Sequence, residues 1–329
     1  MRPELLDRLR CPLSGSELAL DALEVGPDGR VEHGLLTGEA GPFPIVAGIP
    51  VFRGERRELV DLVRAGEHDR ALIRACFGEI APAGWHRAGD WLATTSRFRG
   101  LGRRIRTGHD RSLELRALPL LEPDTGVRGL FSLAYRDLRL RNPEVFAYNW
   151  YRYGLPRHLA ALAALERAPR TGPVLDVGCG AGHLTRALVD HVGGDQPVLG
   201  VDGLFFALHV AHRHLAPEAD FACVELEALP LANGSIGGVW ASDVLHAISH
   251  KAPVARELAR LGRPDTWGVA AGLAVAGHDH EYPGRPLSAD GYRALFPDST
   301  LVGDHRLVDA YLDRRAAARG DGDADGPTV

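Results

Sequence analysis

The sequence predicts an α/β protein built on a doubly wound parallel sheet, and three observations carry that prediction. From Thr171 to Leu307 short apolar runs alternate with helical stretches, the pattern of strands joined by helical crossovers. The first run, Val174 to Val177, is followed by three closely spaced glycines, Gly178, Gly180 and Gly182, before the amphipathic stretch Leu184 to Val192. The second, Val198-Leu199-Gly200-Val201, ends in an acid, Asp202, 24 residues past Gly178. Strands are expected at 173–177, 197–202, 219–224, 236–242 and 267–275, with a further one near 299–307. Helices are expected between them at 183–192, 204–215, 251–261 and 288–296.

Glycines at alternate positions let a ligand touch the main chain, and the helix N-terminus that follows offers free N–H groups. The dinucleotide fingerprint needs a third glycine three residues after the second, and that position here is His183. Asp176 suits a ligand that carries an ammonium and a sulfonium near the turn. Asp202, at the carboxyl end of its strand, points at the crevice where strand order reverses and can accept from both hydroxyls of a ribose. Val174 to Leu184 resembles motif I of the class I S-adenosylmethionine-dependent methyltransferases. The resemblance implies a Rossmann-like sheet, S-adenosyl-L-methionine as cofactor, and Asp176, Gly178, Cys179, Gly180, Gly182, Asp202 and Gly203 around it.

The same resemblance extends downstream. Cys223 to Leu231 matches the region where an acid accepts from the adenine amine and the next backbone N–H serves a ring nitrogen, which maps to Glu225 and Leu226, with Glu227 competing. Beyond the fourth strand lie Ser242, Asp243 and His246, where the fold places groups that face the methyl end. His246 has the chemistry of a general base, and Asp243 could orient it or hold the cofactor's amino group. A histidine packed beneath the adenosine is the competing reading. His278, in the polar loop Gly277 to Gly284, is the second candidate base. His280 beside it reads as a substrate contact rather than a metal ligand.

Upstream, Leu9-Arg10-Cys11-Pro12 together with Phe43 to Phe52 resembles a Trm112-like zinc ribbon. Of its four thiolates only Cys11 is present; Ser14, Leu36 and Glu39 stand at the other places, so no structural metal is expected there. Packing of Ile45, Ile49, Val51 and Phe52 should hold this module instead. A helical segment follows, with Leu59, Leu62 and Val63, then Ala71, Leu72 and Ala75, at helical spacing. Five aromatics crowd into Phe146 to Tyr153, just before the first strand of the sheet. Tyr148, Trp150, Tyr151 and Tyr153 are candidates to line an acceptor pocket, or to seal the two halves of the chain. Seven arginines between Arg97 and Arg116 read as a solvated helix face, with an anion-binding surface as the other reading.

Bulk properties bound the rest. The 329 residues are 45% apolar and 25% charged with a formal net charge of -5, which argues against a generalised nucleic-acid or membrane-binding surface. Only Lys251 among 38 basic residues is a lysine, and the four cysteines show no paired spacing. No apolar run reaches bilayer length and no signal-peptide core opens the chain, so a cytoplasmic location is expected. The expected organisation is a module at 1–53, a helical cap at 54–165, the cofactor domain at 166–315 and a disordered tail at 316–329. The first expectation for function is O-methylation of a small metabolite, natural product or sugar. An RNA- or protein-modifying methyltransferase and a non-catalytic interaction protein of the same fold are the alternatives.

Overall fold

The computed structural model describes residues 1–54, 56–78, 99–194, 196–277, 284–297 and 299–313. Two sheets organise it. The larger holds five parallel strands, β5 (Val174–Val177), β6 (Val198–Asp202), β7 (Asp220–Cys223), β8 (Ile236–Ser242) and β9 (Gly262–Ala271), in spatial order β7-β6-β5-β8-β9. Every residue of β5 is buried, as a central strand covered on both faces by crossover helices must be. Those helices are α7 (His183–Val192), α8 (Phe205–Val210, running into a π turn to Leu215) and α9 (Lys251–Leu261). Chain order reverses between β5 and β8, which pair Val174 with Gly238 and Val177 with Ala241. A crevice therefore opens at their carboxyl ends, where side chains from several loops converge.

The smaller sheet is an antiparallel meander, β1 (Ala19–Val25), β2 (Val31–Gly38), β3 (Gly41–Val46) and β4 (Ile49–Pro50). Ala47 and Gly48, at φ of 45° and 78°, make the two-residue turn between β3 and β4, the left-handed geometry that matches strand twist. The sheet is welded to the larger one. Val51 forms a parallel bridge with Cys223 at the β7 edge, and the Phe52 N–H donates to the Cys223 carbonyl at 2.8 Å. On another path, Arg10 N–H donates to Pro230 O and Ala232 N–H to Arg8 O, both at 2.9 Å. Leu9, Leu36, Phe43, Ile45 and Phe52 share one apolar core with Leu199, Ala222, Val224, Leu229 and Leu231. Leu36, at one of the four ribbon-ligand positions, is fully buried in that core.

In chain order between the two sheets come α1 (Arg57–Arg64), α2 (His68–Phe77), α3 (Arg99–Ala117), α4 (Val127–Phe131, extended by a π turn to Asp137), α5 (Glu144–Tyr151) and α6 (Pro156–Leu165). Their apolar faces form a second core with the opposite side of the large sheet. Phe77 stacks on Phe206 at 5.5 Å and Tyr135 meets Phe206 edge-on at 5.8 Å. After β9 come α10 (Ala289–Leu295) and α11 (Asp304–Leu312).

The expected strand near 299–307 is not formed: its second half is the start of α11. Leu307 and Tyr311, four apart, both face the helical core, a 3.6-residue repeat that outweighs the short apolar run at Leu301 and Val302. β9 begins earlier than expected because Arg263 to Thr266 bulge out of the ladder, held by Thr266 Oγ1 donating to Ile236 O at 2.8 Å. The tail after Asp313 and the loop 278–283, with His278 and His280, lie outside the described residues. So do the side chains of much of the arginine-rich stretch. Among the described residues no helix is long and apolar enough to cross a membrane.

Candidate functional site

β5 delivers the chain to the crevice, and the glycines that follow it do different work. Gly178, at φ 66°, would drive a Cβ to 2.3 Å from Val244 Cγ2, so its smallness is demanded by packing. Gly180, at φ 53°, has nothing within 4 Å of where a Cβ would sit, so its open side is available to a ligand. Its N–H donates to Asp202 Oδ2 at 3.0 Å, and the other oxygen of Asp202 accepts from Leu204 N–H at 2.8 Å. Asp202 thereby joins the glycine turn to the loop after β6. Burial raises its pKa despite these two donors.

Two cavities open near Asp202, which lines neither but bonds Gly180 in the wall of one and Leu204 in the wall of the other. The first, about 70 Å³, lies against the glycine turn and is lined by Asp176, Gly178, Gly180, Ser242 and Asp243 from the sheet, with Cys179 and His183 beside them. Tyr148, Asn149 and Arg152, from α5 and the turn after it, complete the lining. The second, about 270 Å³, is walled by Gly203, Leu204, Phe205 and Cys223 from the sheet domain. Its opposite wall is Val51 and Arg53 from the end of the small module and Cys76 from α2.

Electrostatics of the first cavity turn on three carboxylates. Asp176, 2% exposed, accepts from Thr185 Oγ1 at 2.6 Å, and burial pushes its pKa up to about 7, with the neighbouring Asp202 adding to the rise. Asp243 is held at φ 57° at the end of β8 with a side chain 5% exposed. Its Oδ2 accepts from Tyr148 Oη at 3.2 Å and from Arg152, and Arg157 approaches to 3.6 Å. Its Oδ1 is buried without a hydrogen-bond partner. That atom has room because Gly272 lacks a side chain: a Cβ there would stand 2.9 Å away. Asp304, at the start of α11, feels the Asp243 charge and is itself raised to about 7, mainly by burial.

Around the second cavity, Glu225 is paired with Arg53 at 2.9 Å, and Arg53 also donates to Gly203 O. Glu225 and Arg53 thus meet at the mouth of this cavity, with the Glu225 side chain 56% exposed. Leu226 packs partly buried against the core shared by both sheets.

The structure brings together Asp176, Gly178, Cys179, Gly180, Asp202, Ser242, Asp243 and Tyr148. Gly203 and Glu225 gather at the other end. Gly182 serves packing, since a Cβ on it would meet Ala211 Cβ at 2.7 Å. His246 does not join them. Its side chain is 3% exposed and does not line either cavity, and its carbonyl anchors the N–H of Arg285 at 3.0 Å. Trp150 and Tyr151 also stand apart, exposed on the outer face of α5, with Arg128 over the Trp150 ring. Tyr153 is half exposed, and its ring meets His183 edge-on at 5.1 Å.

Sequence reasoning missed Arg53, Asn149, Arg152, Arg157 and His183. Arg152 lies inside the aromatic run already singled out, and a lone cation among five aromatics is the one signal that could have flagged it. His183 lines the first cavity with its Nε2 2.9 Å from the Asn149 carbonyl, and burial, then Arg152, lowers its pKa to about 4. A carbonyl only accepts, so Nε2 carries the proton and Nδ1 the lone pair.

The family model described as a methyltransferase domain matches residues 174–265, from β5 into β9. The ribosomal protein L11 methyltransferase of Gloeobacter violaceus is 30% identical over 114 residues, 35% of this chain and 35% of that protein. The chain thus spans about a third of the length of the curated relative it matches. Among solved structures, the complex between the Haloferax volcanii Trm112 methyltransferase activator and a methyltransferase is similar at 20% identity and TM-score 0.42. That match covers 49% of this chain and 77% of the other. A SAM-dependent methyltransferase from Aquifex aeolicus is similar at 19% identity and TM-score 0.35, over 40% and 74% of the two chains. From the strand–glycine turn–helix that opens the matched segment, through the acid ending its second strand, residues 174–265 match a methyltransferase domain.

Proposed function

We propose that the protein methylates a hydroxyl group of a small acceptor, using S-adenosylmethionine. When bound, the cofactor supplies an electrophilic methyl carbon on a sulfonium. The residues present fit it: the buried, unpartnered Asp243 Oδ1 suits an ammonium, the open side of Gly180 a main-chain approach, and Asp202 a ribose diol. The larger cavity suits the adenine, with Glu225 at its mouth as acceptor for the ring amine.

The observation that carries the acceptor class is the roof over the first cavity. Tyr148, Asn149 and Arg152 stand over the glycine turn, so an acceptor passes beneath side chains instead of lying across an open face. Such a roof orients a small nucleophile and excludes water from it, which is most of what in-line methyl transfer asks of a protein. Tyr148, raised to about 12 by burial, keeps its proton and donates a hydrogen bond to Asp243. His278 remains the proposed base for the acceptor hydroxyl, and His246 is assigned to structure.

The test is release of S-adenosylhomocysteine over a panel of phenols, sugars and polyols, set beside bulk tRNA and ribosomal proteins. Turnover of a low-mass hydroxyl compound, changing by no more than about twofold across moderate salt, supports the proposal. Methyl label entering only RNA or protein, with affinity falling steeply with salt in the RNA case, overturns it. The relative named for ribosomal protein L11 keeps the protein substrate in the panel. His278→Ala should lower kcat about 100-fold with cofactor binding retained. His246→Ala should lower Tm more than it lowers turnover per folded molecule.

A further inference from the structure

Away from the cofactor crevice, Glu24 on β1, His33 on β2 and His68 at the first turn of α2 meet where the small sheet packs on the helical segment. The two imidazoles lie flat on one another, centroids 3.9 Å apart and planes 2° from parallel. Glu24 Oε2 stands 2.7 Å from His68 Nδ1 and 4.0 Å from His33 Nε2. One donor atom from each residue falls within 4.8 Å of the other two.

Hydrogen bonding explains only part of this cluster. The Glu24–His68 contact is a good hydrogen bond, but His33, nine-tenths buried, is left over: Nδ1 has no partner, and Nε2 is beyond hydrogen-bond reach of the carboxylate it faces. Burying an unsatisfied imidazole has a cost that a ligand to its lone pair would offset. Burial also lowers the His33 pKa to about 4, so the ring is neutral and able to ligate at physiological pH.

We propose that Glu24, His33 and His68 bind one divalent transition-metal ion of the zinc class, which ties the β1–β2 hairpin to α2. Two imidazoles and one carboxylate form a zinc-type donor set once one ring of the parallel stack turns so that both lone pairs meet at one point, and they leave coordination positions for water. Two nitrogen donors disfavour calcium and magnesium, which take oxygen ligands. The half-exposed Glu24 leaves a path for the ion. The place is distinct from the ribbon corner of Cys11, Ser14, Leu36 and Glu39. It sits at one end of α2, whose other end carries Cys76 into the wall of the larger cavity.

The experiment uses the full chain without an affinity tag, stripped by a chelator and dialysed against Zn2+ or Co2+ alone. One ion per chain is expected, with visible Co2+ absorption and a rise in Tm of about 5 °C at metal well above Kd. Glu24→Gln and His68→Gln should each lose at least about 100-fold in affinity, with S-adenosylhomocysteine binding retained as the sign of folding. His278→Ala with His280→Ala should keep the ion. Failure of the parent to take up metal overturns the proposal, as does uptake that survives in Glu24→Gln and His68→Gln or disappears with His278 and His280.

Discussion

The two ends of the cofactor crevice use the same kind of bond in opposite settings. At the glycine end, Asp243 and Arg152 are paired with side chains 5% and 6% exposed. At the far end, Glu225 and Arg53 are paired with side chains 56% and 24% exposed. An ion pair taken out of water is strongly destabilising to break, because the surviving charge is stranded, whereas an exposed pair is worth little. The glycine end should therefore behave as a rigid part of the fold and the far end as an adjustable wall.

Asp243→Ala gives the largest expected effect. It strands Arg152 and leaves Arg157 without the carboxylate it approaches, so a loss of about 3–5 kcal/mol in unfolding free energy is expected, together with loss of S-adenosylhomocysteine binding. Chemical denaturation and calorimetry measure both. A stable variant with unchanged cofactor affinity would mean that the buried cluster neither braces the fold nor meets the cofactor.

Asp202→Asn comes next. The amide keeps the shape and can still accept from Gly180 or Leu204, but it cannot offer two charged acceptors to a diol. Loss of a charged hydrogen bond corresponds to about 1.5–3 kcal/mol, or on the order of 30-fold in cofactor affinity, and Tm should fall as well because the amide nitrogen must face one of the two backbone N–H groups.

The glycine end should also sense pH through Asp176. Its carboxyl titrates at about 7 in the free protein against an ordinary 3.8, because it is buried and Asp202 is near, with Thr185 partly offsetting the rise. The folded state thus holds its proton more tightly than the unfolded chain does. This group's share of stability is full below 3.8 and is lost as pH rises through about 7. A cationic ligand favours the ionised form, so affinity for S-adenosylmethionine, whose sulfonium makes it net positive, should rise about tenfold between roughly pH 5.5 and 7.5. Asp176→Asn should flatten that slope, and Asp304→Asn, the other carboxyl raised to about 7, should not.

The comparison also explains what was legible in the sequence. β5, the glycine turn, α7 and Asp202 could be read because their roles are local: strand periodicity, left-handed glycines and an acid one crossover away. Arg53 and Arg152 could not, because each meets its partner across a long loop of chain, 172 and 91 residues. In a sequence whose basic residues are nearly all arginine, only the aromatic surroundings of Arg152 set it apart, and nothing marks Arg53. The same distance hid the bridge from Val51 to Cys223, which ties a module that looks separable to the edge strand of the large sheet. His246 follows β8, where the sequence expects either a base or a packed histidine, and its side chain is buried away from both cavities, a placement that no local pattern announces.

Arg53→Ala should give the smallest effect and the most discriminating one. The exposed pair with Glu225 contributes less than about 1 kcal/mol, so Tm should barely move. Arg53 nonetheless occupies Glu225, the acid proposed to accept from the adenine amine, and fastens the module to the Gly203 carbonyl in the same cavity wall. If the module merely braces the fold, cofactor affinity in Arg53→Ala should follow Tm and stay put. If it forms part of the adenine wall, affinity should change by about three- to tenfold at constant stability, and Arg53→Lys, which keeps the charge but not the two-point fork, should restore only part of it. A change confined to KM for the cofactor, with kcat intact, places the effect at the adenine end and separates it from the Asp243 cluster, where kcat and stability should fall together.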